Sequence, residues 1–272
     1  MIQQSERFTD HVALMSEQGK QNKDIAITME KCSLSFGDVK VLNNVSLTIY
    51  KDEFLSILGP SGCGKSTLLR LMLGLLPPDK GGVISLDSTK ESLGMVFQKP
   101  VLMPWMTALQ NIEMPLNLGT EKKLNKKIRR EKAENALQLV GLYDFKNHYP
   151  HQLSGGMQQR VAIARALAAE PTILLMDEPF GALDEFTREK LNFELLRLWE
   201  SPDNGLSTVV MVTHSIQESV IMSDRIAMMS SRPAGVEEMI DVPLPRPREV
   251  GMEEHPGFFK TVKELRRKVK QQ

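Results

Sequence analysis

Phe54-Leu-Ser-Ile-Leu-Gly-Pro-Ser-Gly-Cys-Gly-Lys-Ser-Thr-Leu-Leu69 is the stretch that decides the fold. Its first five residues form a short apolar run of strand type, and Leu68, Leu69, Leu71, Met72 and Leu75 then mark a buried helix that ends near Pro77-Pro78. Between strand and helix stands the P-loop pattern G-x-x-x-x-G-K-[ST], spelled by Gly59, Pro60, Ser61, Gly62, Cys63, Gly64, Lys65 and Ser66. Gly62 and Gly64 carry no Cβ to keep backbone N–H groups from turning inward, and the helix that follows aims its free N-terminal donors at the same point. The loop is therefore a cradle for the phosphates of a nucleotide. Lys65 adds a point charge for the terminal phosphates, Ser66 a hydroxyl for Mg²⁺, and Thr67 a hydroxyl for a neighbouring phosphate. Cys63, at a helix N-terminus beside a lysine, has the setting of a reactive thiol, although loop filler is the simpler reading.

Two further short apolar runs, Ile173-Leu-Leu-Met176 and Thr208-Val-Val-Met-Val212, are separated by a helical stretch over 185–200. Strand–helix alternation of this kind predicts an α/β fold with a parallel sheet covered on both faces. Asp177 and Glu178 end the first run and His214 follows the second, so all three are expected at the carboxyl edge of the sheet beside the P-loop. There Asp177 is placed to help hold Mg²⁺, Glu178 to polarise an attacking water, and His214 to sense the terminal phosphate. Alternation in 25–29 and 45–49 around Gly37 predicts an antiparallel β edge subdomain. From Gln98 to about residue 169 strand signals stop, while 126–140 and 157–168 carry helical periodicity, which predicts a helical subdomain inserted over about 99–169. Pro243-Leu-Pro-Arg-Pro247 marks a boundary before an amphipathic helix near 258–269, so the expected organisation is a polar leader over 1–23, one catalytic domain over 24–246, and a C-terminal helix within 247–272.

With 34 Lys plus Arg against 34 Asp plus Glu, the chain has no global field for nucleic acid or anionic lipid. Basic residues at 122–132 and 260–270 are interleaved with acids and read as solvated helix faces. No apolar stretch approaches the ~18 residues of a spanning helix and no secretory signal opens the chain, which predicts a cytoplasmic protein. Only two cysteines, Cys32 and Cys63, occur, without the spacing of a disulfide framework or zinc site.

Leu153-Ser-Gly-Gly-Met157, followed by Gln158-Gln-Arg160, is a second glycine-bearing turn opening a helix, with Ser154 as its cap. One chain thus holds two half-sites for anions. At this point the sequence resembles the ATP-binding cassette (ABC) superfamily, whose signature is LSGGQ, over about residues 24–246 and with several motifs in the family's order. The resemblance implies that Phe36 stacks on adenine, that Gly59 to Thr67 bind ATP as the Walker A loop, and that Gln98 touches Mg²⁺ and the attacking water. It likewise makes Asp177 and Glu178 the Walker B pair, with Asp177, Ser66 and Gln98 as the metal residues, puts Asp184 in the D-loop, and makes His214 the switch histidine. The catalytic set is then Glu178, His214, Gln98 and Lys65. Ser154, Gly155 and Gly156 of one subunit would cover ATP held by another, so a dimer is expected, with a homodimer the simplest form. Met157 departs from the usual Gln and Phe36 from the commoner Tyr.

The run Pro100-Val-Leu-Met-Pro-Trp-Met106 and the tail Pro243-Leu-Pro-Arg-Pro-Arg248 resemble the nitrate, sulfonate and taurine importer branch. That branch implies an ATPase at the cytoplasmic face of the membrane, with separate transmembrane permease subunits and an extracytoplasmic substrate-binding protein, and no nucleic-acid partner. An exporter ATPase and a soluble cassette ATPase outside transport are the alternatives.

Overall fold

Residues 25–50 fold back on themselves because Gly37 takes the left-handed conformation (φ +57°) that a tight turn requires. In this computed structural model, which describes residues 24–86, 92–118, 124–201 and 205–270, the two arms are β1 (Ile25–Phe36) and β2 (Val39–Tyr50), paired antiparallel. Both are longer than the alternation predicted, with bulges between Met29 and Cys32 and between Cys32 and Leu34 that break the period. The polar leader proposed for 1–23 lies outside the described residues.

β3 (Phe54–Leu58) runs into the P-loop and then α1 (Lys65–Met72), which stops about one turn earlier than the leucine pattern suggests, since Gly74 turns the chain at φ +69°. β4 (Val83–Leu86) returns to the free edge of β1, giving a three-stranded antiparallel sheet in the order β2-β1-β4. β5 (Leu93–Val96) then enters the main sheet. Three helices follow: α2 (Ala108–Leu118), α3 (Lys126–Leu139) and α4 (Gly155–Ala168). The first of these escaped the periodicity reading because Pro115 sits inside it. Its buried Asn111 organises the preceding loop, accepting from Met103 N and donating to the carbonyls of Met103, Met106 and Thr107.

The chain continues through β6 (Ile173–Asp177), α5 (Glu185–Glu200), β7 (Thr208–Thr213), α6 (Ile216–Met222), β8 (Arg225–Met229), β9 (Val236–Asp241) and α7 (Pro256–Val269). The six-stranded sheet has the order β5-β6-β7-β3-β8-β9, parallel except for β9, an antiparallel edge strand absent from the sequence-based expectation.

Period-2 alternation in the central strands supplies two cores at once. Phe54, Leu58, Leu174, Met176, Val209, Met211, Ile226 and Met228 belong to one cluster, while Leu55, Ile57, Ile173, Leu175, Val210, Val212, Ala227 and Met229 belong to the other. The first is covered by helices, including Phe258, Val262 and Leu265 of α7; the second is covered by α1 and the antiparallel sheet. Among the described residues no helix is long and apolar enough to cross a membrane.

Candidate functional site

Parallel pairing brings the carboxyl ends of β3, β7 and β6 side by side, with Leu58 opposite Thr213 and Asp177 opposite Val212. The P-loop, Asp177, Glu178 and His214 therefore share one sheet edge, as the motif order predicted. Gly62 (φ +74°) and Gly64 (φ +130°) hold backbone conformations that disfavour any side chain. A Cβ on Gly64 would also lie 3.0 Å from Val41 and Leu42, whereas one on Gly62 would meet nothing within 4 Å. The loop is thus packed at its base and open at its apex. Lys65 is buried, and its ammonium donates to the carbonyls of Gly59 (2.8 Å) and Pro60 (2.9 Å). Cys63 is buried as well, which favours the filler reading.

Ser66 Oγ donates to Asp177 Oδ1 at 2.9 Å. Burial pushes the Asp177 carboxyl above its ordinary pKa, the Ser66 hydrogen bond works against that, and the neighbouring Glu178 charge adds to the rise. A hydroxyl and a desolvated carboxylate side by side are hard oxygen ligands that gain from a divalent cation, and this pair fits Mg²⁺, which takes few protein ligands and completes its shell with water and phosphate.

Glu178 occupies the left-handed region (φ +45°), its amide donating to Val212 O (3.0 Å) and its carbonyl accepting from Gly181 N (3.2 Å). This turn brings its carboxylate to two partners far away in sequence. Gln98 Nε2 donates to Glu178 Oε2 at 3.1 Å, and His214 Nδ1 lies 3.5 Å from the same oxygen. A carboxylate flanked by an amide and an imidazole can orient a water and accept its proton.

Phe36, Ser154 and Asp184 lie outside this bonded set. Phe36 is 50% exposed near the hairpin turn, an available aromatic face. Ser154 caps α4, accepting from Met157 N at 3.2 Å, and Gly155 is open. A Cβ on Gly156 would sit 3.2 Å from Leu183 Cδ2, so the signature turn packs against the 182–184 turn. Asp184 caps α5 by accepting from Thr187 N (3.0 Å), a bond that holds its carboxyl below the usual range. The α4 helix also reaches back: Gln159 Nε2 donates to Phe97 O (3.2 Å), and Arg165 donates to Pro100 O and Val101 O (2.9 Å each), fixing the segment around Gln98.

Two residues near the site escaped the sequence reading. Arg232, on the β8–β9 turn, donates to the carbonyl of Gly62 at the P-loop apex, and no local pattern announces it. Glu218 is buried in α6 and accepts from the Thr213 hydroxyl. Desolvation is the largest cause of its raised pKa. Ser215-x-x-Glu218 is a capping-box pattern that marks it, and the helix N-cap is indeed Ser215, accepting from Glu218 N at 3.2 Å.

Known proteins resemble this chain over most of its length. The family profile described as ABC transporter matches residues 42–181. The uncharacterized ABC transporter ATP-binding protein MJ0412 of Methanocaldococcus jannaschii is 48% identical over 216 residues, spanning 78% of each chain. The aliphatic sulfonates import ATP-binding protein SsuB of Bacillus cereus is 40% identical over 240 residues, 87% of this chain and 89% of its own. Among solved structures, the dimeric post-hydrolysis state of the ATP-binding cassette MJ0796 bound to ADP and Pi superposes with a TM-score of 0.71 at 37% identity, covering 79% of this chain and 98% of that one.

Proposed function

The chain belongs to the ABC transporter family as an ATP-binding, ATP-hydrolysing subunit, and on that premise we propose that two copies close around ATP to drive import of a small anion or organic solute through separate permease subunits. The observation that carries this reading is the bonded set at the sheet edge, in which Ser66 meets Asp177 while Gln98 and His214 converge on Glu178. In it, Lys65 and the loop amides bind the phosphates, Phe36 stacks on the base, and Ser66, Asp177 and Gln98 hold Mg²⁺. The metal, when bound, neutralises charge on the terminal phosphates. Glu178 takes the proton of the attacking water, and His214, together with Gln98, keeps that carboxylate aimed.

Ser154, Gly155 and Gly156 have no partner in this set, and Ser154 and Gly155 are exposed, so in this reading the turn serves the ATP of a second copy, with Asp184 beside it across the same interface. Reversing a 1:99 open–closed equilibrium takes about 5.5 kcal/mol of differential binding. A few charge-assisted hydrogen bonds of roughly 1.5–3 kcal/mol each reach that figure. Loss of the bridging phosphate then reopens the pair.

Import rests on kinship with sulfonate-importer ATPases. The permease contact rests on the segment after Gln98, where Val101 and Trp105 are exposed at 58% and 69% while Arg165 pins the backbone. A permease seated there places the ATPase at the cytoplasmic face, with an extracytoplasmic binding protein supplying the solute. Ser154→Arg tests the composite site: nucleotide binding should persist while ATP turnover falls at least about 100-fold, and normal turnover would show that each chain works alone. Isolating the intact complex and titrating its binding protein with nitrate, sulfonates and taurine tests the import assignment, which fails if no binding protein accompanies the permease.

A further inference from the structure

Among the described residues, a cluster of buried charge outside the nucleotide site lies at the C-terminal end of α6. Arg248 is fully buried; its Nη1 donates to Val220 O (2.9 Å) and Ile221 O (2.6 Å), and its Nη2 to Ser223 O (2.7 Å). Arg246 donates to Met222 O (2.8 Å), pairs with Asp224 (3.1 Å) and Glu200 (2.9 Å), and stacks on Trp199 at 4.5 Å. Asp224 in turn accepts from Phe54 N (2.9 Å), the first residue of the strand that feeds the P-loop.

A helix leaves its last carbonyls without intrahelical partners, and water ordinarily meets them at little cost. Here the tail covers them with a fully desolvated guanidinium whose Nη1 and Nη2 are bonded while its buried Nε has no partner, a costly arrangement that leans on those three carbonyl bonds. Burial, and next the charge of Arg246, push the Arg248 pKa down to about 9. The position of α6 therefore depends on the tail.

The other end of α6 adjoins His214. Ser215 N donates to Thr213 Oγ1 at 3.0 Å, and that same hydroxyl donates to the Glu218 carboxylate. Thr213 is thus bonded to the buried Glu218 side chain of α6, and Ser215 to the Thr213 hydroxyl and the Glu218 amide. We propose that Arg248 and Glu218 are positioning residues that hold α6 at its two ends and so set the His214 imidazole against the Glu178 carboxylate, which makes the chain after β9 part of the hydrolytic apparatus. The inference rests on the role given to His214 above.

The test is a set of double-mutant cycles on the purified full-length chain, reading kcat and KM for MgATP. Arg248→Met should lower kcat about 10-fold with KM within about 2-fold, and Arg248→Lys, one ammonium in place of a fork over three carbonyls, should lose part of that. Glu218→Ala should resemble Arg248→Met, while Glu218→Gln, which keeps an acceptor for Thr213, should recover at least about half the rate. In a His214→Ala background each of these changes should shift the residual rate by less than about 2-fold, since no imidazole remains to be misplaced. The same fold-loss in that background, a loss confined to KM, or an unchanged kcat would overturn the proposal. If Arg248→Met does not fold, Arg248→Lys and the Glu218 pair decide by the same criterion. Full activity of His214→Ala alone would instead overturn the role of His214, and this proposal with it, whereas a slow His214→Ala with additive Arg248 effects would sink the positioning role only.

Discussion

Replacing Glu178 by glycine and, separately, by alanine should reverse the usual stability order of those two residues. Glu178 sits at φ +45° with both backbone groups engaged, its amide on Val212 O and its carbonyl on Gly181 N. Both variants lose the contacts with Gln98 and His214, and both relieve the repulsion that helps raise the Asp177 pKa, so these effects cancel between them. What remains is the Cβ. A left-handed conformation costs a residue with a Cβ roughly 1–2 kcal/mol, while glycine gives up about 0.5–1 kcal/mol through its freer unfolded chain. Glycine should therefore be the more stable by about 0.5–1 kcal/mol, or roughly 1–3 °C in Tm for a chain of this size. Urea and thermal unfolding of the nucleotide-free protein measure this, and phosphate release should fall about 10²–10⁴-fold in both variants. An alanine variant as stable as the glycine one would refute the claim that residue 178 stores strain, and with it the argument that the turn is held against its preference to aim the carboxylate.

Asp177→Asn should stabilise the nucleotide-free chain, because burial holds the native carboxyl pKa above its unfolded value. Ionising it then costs stability that is absent below the unfolded pKa of about 3.9 and fully felt above the native one, so the gain must be larger at pH 7.5 than at pH 4.5; melting curves giving equal gains at both would contradict this. Cys32 and Cys63 are both buried, and burial raises the Cys32 pKa against two backbone hydrogen bonds, so an aromatic disulfide reagent at pH 8 should titrate both thiols quickly only in denaturant. Fast native labelling at Cys63 that ATP blocks would restore the reactive-thiol reading. Leu265→Ala, at a fully buried position of α7 that joins the main core, should cost about 2–5 kcal/mol by urea unfolding, whereas an independent appended helix would leave the midpoint unchanged.

The parts of the fold legible beforehand were those with a local cause. Five apolar residues before a glycine loop, a carboxylate pair ending an apolar run, and a helix from Glu185 to Glu200 each follow from spacing and turn chemistry within a few residues. The helix over Ala108–Leu118 was hidden because Pro115 contradicts the local pattern and tertiary packing overrides it. β9 was hidden for the opposite reason: as an edge strand with Glu237 and Glu238 exposed, it carries little apolar signal, and pairing with β8 alone defines it. At the site, the motifs named Ser66, Asp177, Glu178, Gln98 and His214 but neither Arg232 nor Glu218, and the bonds joining the named residues span distances no motif covers, as with Gln98 and Glu178, 80 residues apart.

The same limit applies with most force to the tail. Proline punctuation around Pro243 to Pro247 describes the backbone, where regular structure pauses; it carries no information about where the side chains between the prolines end up. Arg246 and Arg248 fall on either side of a boundary drawn at 246–247, yet both terminate on the carbonyls of one short helix, Met222 for the first and Val220, Ile221 and Ser223 for the second. A guanidinium buried without those carbonyls would be strongly unfavourable, and the carbonyls without the guanidinium would need other partners. Tail and helix therefore order together, and the helix begins beside the histidine whose imidazole faces Glu178. Catalytic geometry at the sheet edge is in this sense distributed over the chain, with its last support supplied by residues that come after the final strand.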